Sequence, residues 1–437
     1  MSEIGDFKHH STCRFCGSPD LAQVLDFGAV PLAGGFLAED QIAAEKVYPL
    51  SLQFCRGCTL VQVGDAVSGE TLFHNYFYFS SSIQTLVGHF AEFADEIVGR
   101  FARPSEAFVV EIGSNDGVLL RPLAERGVRA LGVDPATNVV ASIKGLGGRQ
   151  GNGQGNGLGD RQGDTRPFTV VNDFFTEAVA KRIRAEHGPA DSIVSSYSLA
   201  HIDDMADVMR GVKALLAPDG HFVFEVYYLG ALLGELQYDM VYHEHVNYYS
   251  MAALTRFFAT FGLEFFDVKE LPLRGGTLRY YVRNAGAPGP PVADSVEELI
   301  EREHERGLDS LDTYLAFAKR VETSRTELMA TLADLKREGK EIAGYGASGR
   351  ATTIMSYCGI DARHLSYVVD DAPAKHGFFT PGSHLEIKPW SAAEASPPDY
   401  MLLFAWSFAD EVIEKRAGYL AGGGKFIIPL PEVRIVG

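Results

Sequence analysis

The sequence predicts an α/β protein of three units: a small metal-stapled module over residues 1–70, a doubly wound sheet over 71–285, and a second α/β unit over 286–437. Three observations carry this. Four of the five cysteines fall in two C-x-x-C pairs near the N-terminus. The stretch Val109-Val110-Glu111-Ile112-Gly113-Ser114-Asn115-Asp116-Gly117 runs a β-branched strand into a glycine-punctuated turn. Strand patterns separated by helical ones then recur through both later units.

Composition narrows the function classes. Hydrophobic content of 46% with 22% charged residues is that of a soluble globular protein. Acids outnumber bases 57 to 39, for a formal charge of -18. That argues against nucleic acid or an anionic membrane surface as partner, because both call for a positive face. No apolar run approaches the roughly 18–20 residues that span a bilayer. The first ten residues lack the apolar region of a signal peptide. The expectation is a cytoplasmic enzyme with a small-molecule substrate and no evident obligate protein partner.

In the first unit, Cys13/Cys16 and Cys55/Cys58 each carry a glycine, Gly17 or Gly57, that permits a tight knuckle. Four thiolates make a closed tetrahedral zinc site, and a closed site is structural. Redox-active pairs and unrelated core thiols are the alternatives, but neither explains cysteines that are scarce elsewhere yet paired twice here. Cys358, alone, reads as a buried apolar residue. Leu25 to Leu37 is apolar and glycine-rich, so a loop packed onto a neighbouring domain is expected. The aromatic run from Phe73 to Ser81 follows, in which Tyr76, Tyr78 and Ser80 alternate on one side of an extended segment. They form either a polar wall of a substrate pocket or a packed interdomain seam.

In the second unit, helix-compatible sequence from Ser81 to Phe101 precedes the glycine turn. Its spacing is E-x-G-x-x-x-G, not the G-x-G-x-x-G of a dinucleotide site. Gly113 and Gly117 allow a tight turn and close approach of a ligand. Ala130 to Asp134 reads as a second strand ending in a carboxylate suited to two ribose hydroxyls. A glycine turn for the amino-acid end and an acid for the ribose suit S-adenosylmethionine; the plainer alternative is any strand–turn–helix. Glu111, Gly113, Ser114, Asn115, Asp116, Gly117 and Asp134 are the candidate contacts, joined by Asp173 and Phe174 where an adenine would stack. Residues 145–164 are rich in Gly, Gln and Asn and read as a disordered insertion. After the strand patterns at 191–195 and 221–226, two places look chemical. His201 follows the first of these, and Tyr242 to Ser250 holds two histidines, a glutamate and three tyrosines. Such groups are costly to bury for packing alone. His243 and His245 lack the H-E-x-x-H spacing of a metal pair. Acid–base work fits, with Glu244 orienting a histidine that titrates near neutrality.

In the third unit, Pro288 to Pro291 is a linker and Ser295 to Gly339 forms one or two amphipathic helices. Gly344-Tyr345-Gly346-Ala347-Ser348-Gly349 is a literal G-x-G-x-x-G, followed by a strand at Tyr367 to Asp371. Alone it would mark an NAD(P)-dependent sugar-nucleotide oxidoreductase, the rival reading. Because the second unit supplies the fuller cofactor site, Gly344, Tyr345, Gly346 and Arg350 read as a cradle for a substrate diphosphate. Strand patterns at 400–404 and 425–429 complete a small parallel sheet.

These motifs together resemble the deoxysugar C-methyltransferases, which act on nucleotide-linked 4-keto-6-deoxyhexoses in antibiotic pathways. The matching text is Cys13-Arg14-Phe15-Cys16-Gly17, Val24 to Gly28 with Pro31-Leu32-Ala33, Glu111 to Gly117, Ala200-His201, Tyr242 to His245, Gly275 to Arg279, Gly344 to Gly346, and Ala405 to Ala409. The resemblance implies a zinc module, a Rossmann-like S-adenosylmethionine domain, and a Rossmann-like C-terminal domain that helps to hold a nucleotide sugar. It also implies a reaction in which a histidine removes the proton beside a C4 ketone and the enolate carbon takes the methyl group. On that resemblance His245 is the base and Glu244 orients it. Tyr242 and His201 donate to the enolate oxygen or sugar hydroxyls, and Tyr76 and Tyr78 complete the wall. C3 and C5 both flank the ketone. The chain departs from the family pattern at Tyr197, Tyr227, Arg274 and Ser348-Gly349-Arg350-Ala351, positions that bear on pocket shape and on sugar or nucleotide contacts. A different carbonyl substrate is the further alternative. A zinc-stapled scaffold without activity is disfavoured by Glu111, Asp134, Glu244 and His245 occurring together.

Overall fold

The computed structural model describes residues 6–73, 76, 78–143, 168–273 and 275–437. The glycine-rich stretch 145–164 and Arg274 lie outside the described residues. No described helix is long and apolar enough to cross a membrane.

Seven strands make the central sheet. Phe108–Ile112 is flanked on one side by Arg129–Val133 and Thr169–Val171, and on the other by Ala190–Ser196 and Leu216–Tyr227. These five run parallel. An antiparallel pair, Thr277–Asn284 and Leu263–Leu271, extends the sheet beyond Leu216–Tyr227. All five residues of Phe108–Ile112 are buried, as a strand covered on both faces requires. Strand order reverses between Phe108–Ile112 and Ala190–Ser196, which is where such sheets take ligands. Helix Gln84–Val98 covers one face through Leu86, Phe90, Phe93 and Ile97.

Beneath that helix lies a buried charge network. Glu225, fully buried, accepts from His89 Nε2 at 2.9 Å, Arg279 Nε at 2.7 Å and Ser196 Oγ at 3.2 Å. Burial alone would raise the Glu225 carboxyl, but the hydrogen bond from His89 and the Arg279 charge outweigh it and hold it below the usual carboxylate range. Removing one partner of such a group strands the other. Arg279→Met is expected to destabilise the fold by about 3–5 kcal/mol in urea denaturation; a loss under about 1 kcal/mol would show the pair to be expendable.

The N-terminal module is a four-stranded antiparallel sheet of Leu21–Pro31, Val47–Cys55, Val61–Val63 and, from far along the chain, Asn247–Tyr248. The expected loop at Leu25 to Leu37 is therefore strand as far as Pro31. Its register shifts at Gly28, whose φ of 75° is stabilised by a 2.8 Å bond from its N–H to Asp26 Oδ1. The glycine marks a bulge and the proline the strand end, so neither breaks the ladder.

The C-terminal unit starts with two helices, Asp294–Glu305 and Leu311–Arg337. Its six-stranded sheet runs Ile387–Lys388, Val368–Val369, Ile342–Tyr345, Tyr400–Leu403, Lys425–Ile428 and Arg434–Val436, parallel except for the last strand. Its helix Gly349–Cys358 abuts the N-terminal hairpin: Phe27 and Tyr357 pack with centroids 5.2 Å apart, and Thr352 Oγ1 donates to Ala33 O at 3.2 Å. Glu45 of the N-terminal module accepts from Gly382 N at 3.0 Å and pairs with His384 at 2.7 Å. Apolar residues of all three units share one core.

Candidate active site

The glycine turn at the end of Phe108–Ile112 is built as its spacing requires. Gly113, at φ 73°, bonds Val133 O through its N–H at 2.8 Å, and a Cβ there would collide with the Ser198 side chain. A Cβ on Gly117, at φ 78°, would stand 2.7 Å from the Phe168 ring. Asp134 clamps the turn by accepting from Asn115 N at 2.7 Å and Ala136 N at 2.9 Å. Burial raises its carboxyl above the ordinary value against those two donors. Burial, with Asp134 and Asp116 nearby, pushes Glu111 far higher. Glu111 Oε2, Ser114 Oγ and Asp116 Oδ1 are buried and make no hydrogen bond among the described residues. Three orphaned polar atoms around one turn suit the charged amino-acid end and ribose of S-adenosylmethionine.

Residues 76 and 78–81 cross this turn as a strap. Ser80 N donates to Asn115 Oδ1 at 2.9 Å, Asn115 Nδ2 donates to Tyr78 O at 3.1 Å, and Asn138 Nδ2 donates to Tyr76 O at 2.8 Å. Of the expected wall, Tyr76 and Tyr78 lie side by side, with ring centroids 6.2 Å apart. Tyr76 OH reaches Glu244 Oε2 at 3.4 Å, Ser80 is buried beside the turn, and Tyr78 packs toward the core under Gln84–Val98. The sequence signal for a strap is the pair of amides Asn115, in the turn after Phe108–Ile112, and Asn138, in the first turn of helix Thr137–Ser142. At the outer strand end, the Phe174 ring lies over Gly69 and is 39% exposed, while Asp173 pairs with Arg182 at 3.6 Å.

His245 sits in an aromatic box. Tyr242 stands 4.0 Å from it between ring centroids, Tyr227 5.1 Å and His201 5.2 Å, the last nearly parallel at 19°. His245 Nδ1 lies 2.8 Å from Met240 O. A carbonyl can only accept, so Nδ1 carries the proton and Nε2 is the basic nitrogen of the neutral ring. It is the Met240 carbonyl that accepts from His245 Nδ1. Glu244 faces Tyr76 instead, and burial pushes its carboxyl up to about 7 against that hydrogen bond. His243 turns the other way: it is buried, its Nε2 donates to Pro49 O at 3.2 Å, and burial holds it below its ordinary value. Tyr197 and Tyr227, both departures from the family pattern, pack at 4.9 Å and line the box.

The site lies where the three units meet. A Cβ on Gly34 would stand 3.3 Å from Glu244 Oε1, and one on Gly349 3.7 Å from the Tyr242 ring. Cys13, Cys16, Cys55 and Cys58 place four sulfurs within 4.8 Å of one another. Zinc–thiolate bonds of about 2.3 Å need sulfurs roughly 3.8 Å apart, so the cluster fits a tetrahedral ion.

Three family models match the chain in series: a "zinc binding domain" over 13–73, a "Methyltransferase domain" over 87–268 and a "C-methyltransferase C-terminal domain" over 272–431. The chain is 35% identical to the C-methyltransferase NovU of Streptomyces niveus over 429 residues, 97% of this chain and 96% of that protein. The chain belongs to the C-methyltransferase family. Among solved structures, the CcbJ methyltransferase of Streptomyces caelestis is 16% identical, with 45% of this chain and 90% of that one covered at a TM-score of 0.33. The glycopeptide N-methyltransferase MtfA bound to S-adenosylmethionine is 14% identical, with 48% and 96% covered at 0.33. Scores this low add nothing to the assignment.

This chain is an S-adenosylmethionine-dependent C-methyltransferase, which displaces the oxidoreductase reading of the second glycine run. Gly344 lies inside Ile342–Tyr345, where a Cβ would meet Phe404 at 2.8 Å. Gly346, at φ 96°, makes the turn, and Asp370 clamps it by accepting from Ala347 N and Ala372 N, each at 2.8 Å. Tyr345 OH donates to Asp371 Oδ2 at 2.8 Å. Arg350, expected beside a diphosphate, forks onto Asp239 instead.

Proposed function

We propose that this C-methyltransferase transfers the methyl group of S-adenosylmethionine to the carbon beside the ketone of a nucleotide-linked 4-keto-6-deoxy sugar, at C3. The observation that carries this is the fixed tautomer of His245, with Nε2 presented inside a box of Tyr242, Tyr227 and His201. Glu111, Ser114, Asp116 and Asp134 hold the cofactor, which when bound supplies an electrophilic methyl sulfonium. A ketone acidifies the adjacent C–H, so a base near neutrality suffices. His245 Nε2 takes the C3 proton as charge moves onto the C4 oxygen. Tyr242 and His201 donate to that oxygen, where the developing charge needs stabilising most. The enolate carbon is then the nucleophile to which the bound cofactor would give its methyl group, the C–S electron pair leaving with the sulfur. The sugar class rests on the motif resemblance; Tyr197 and Tyr227 shape the pocket that receives it.

The test is exchange at the reacting carbon. Incubation of a nucleotide-linked 4-keto-6-deoxy sugar with the protein in D2O is expected to place deuterium at C3. Adding S-adenosylmethionine is expected to yield a product one methylene heavier, methylated at C3 by NMR. Deuterium at C5 would move the assignment along the ring, and neither exchange nor transfer would reject the sugar class.

The rate should also rise with pH through about 7, the value to which burial pushes Glu244. Above it the ionised carboxylate favours the imidazolium that forms on His245; below it the neutral acid does not. Glu244→Gln is expected to abolish that inflection in kcat, and an unchanged pH profile would exclude Glu244 from this role.

A further inference from the structure

One helix of the C-terminal unit holds the catalytic stretch at several points. Arg350, in the first turn of Gly349–Cys358, donates from Nε and Nη2 to the two oxygens of Asp239 at 2.8 and 3.1 Å. Trp406 Nε1 donates to the same carboxylate at 2.7 Å, and the guanidinium lies 4.7 Å from the Trp406 ring. Thr353 Oγ1 donates to Val241 O at 3.2 Å, and Tyr238 OH lies 3.6 Å from Cys358 Sγ. Asp239 is fully buried in the single helical turn Tyr238–Met240. The next residue, Met240, supplies the carbonyl that fixes His245 Nδ1.

The place of this contact is telling. Arg350 follows Ile342–Tyr345 and Trp406 follows Tyr400–Leu403, the two strands between which the order of the C-terminal sheet reverses. Doubly wound sheets take their ligands in that crevice, with anions at the helix N-terminus. Here the anion at that position is a carboxylate of the neighbouring unit.

We infer that the C-terminal unit uses its ligand crevice to grip the catalytic stretch, so that Arg350 and Trp406 are positioning residues that set His245 through Asp239 and Met240. The inference rests on the reading of His245 as the base. A two-pronged charge-assisted pair fixes direction as well as distance. Losing the cation leaves Asp239 buried without it, and relaxation of residues 238–242 shifts the carbonyl that aims the imidazole. Misplacement of a catalytic group by about 1 Å costs on the order of 100-fold in rate.

The experiment measures kcat, KM for the sugar nucleotide, S-adenosylmethionine affinity and amide exchange over 238–246 in the full chain. Arg350→Met is expected to lower kcat roughly 10–100-fold with KM and cofactor affinity within about twofold, and to speed exchange over 238–246. Arg350→Lys should recover part of both effects. Trp406→Phe, which removes one N–H and keeps the ring, should show both effects in milder form; it serves as the test if Arg350→Met does not fold. A KM raised about tenfold with kcat intact would overturn the inference and return Arg350 to the substrate diphosphate. Unchanged exchange over 238–246 in both variants would overturn it as well. Full activity in His245→Asn would instead remove the base reading, and the exchange data would still report on the grip.

Discussion

His245→Asn is expected to lower turnover by two to four orders of magnitude, roughly the range a general base supplies, with S-adenosylmethionine binding nearly intact. The two effects separate because the groups sit on different elements. The glycine turn proposed for the cofactor is built from Glu111 to Gly117 and Asp134, whereas His245 hangs from the Met240 carbonyl in a separate stretch of chain. Asn retains an N–H that can donate to that carbonyl, so the stretch should keep its shape. What it lacks is a nitrogen able to take a proton near neutral pH. The measurement is steady-state turnover beside calorimetric titration with S-adenosylmethionine, and the variant should also lose deuterium exchange at C3. Near-normal turnover would remove His245 from the base role.

Loss of zinc should have an effect of similar reach by another route. Purified protein is expected to hold about one zinc per chain on four thiolates, and Cys58→Ser should release it and lower Tm by roughly 10 °C or more. Activity should fall too, because the knuckles support the cleft directly. Arg14, between Cys13 and Cys16, donates to Asp203 at 2.7 Å, two residues beyond His201. Val63 N donates to Val246 O at 3.0 Å, and Val246 N to Ala200 O at 2.8 Å, so one chain of bonds links the module to both histidines. Metal analysis that finds no zinc would reject the site, and an unchanged Tm in Cys58→Ser would deny it a structural role.

What was legible in the sequence was local. The β-branched run at Val109 to Ile112 had to be a buried strand, and cysteines three apart had to aim at one point. The turn at Gly113 needed no Cβ, and none fits. What escaped notice depends on partners that the chain meets only after folding. Nothing near Arg350 announces Asp239, 111 residues earlier, so a cation after a glycine turn read as a phosphate contact. Nothing in Asn247–Tyr248 marks it as the fourth strand of a sheet begun at Leu21. Glu244 beside His245 in sequence suggested a pair, but in the fold Tyr76 OH reaches Glu244 and the Met240 carbonyl accepts from His245 Nδ1. The strand at Leu21–Pro31 was hidden by its own composition, because a bulge glycine and a terminal proline read as breakers.

The meeting of Gly34, Tyr76 and Gly349 around Glu244 and Tyr242 bears on how such enzymes can be re-engineered. The cleft is nobody's property: each unit donates a wall and none encloses it. Chimeras that splice the zinc module or C-terminal unit of one relative onto the middle of another would mismatch at Ala33–Thr352, Glu45–His384 and Asp239–Arg350 together. New substrates are therefore better sought by changing single side chains such as Tyr197 and Tyr227 within an inherited frame than by shuffling its parts.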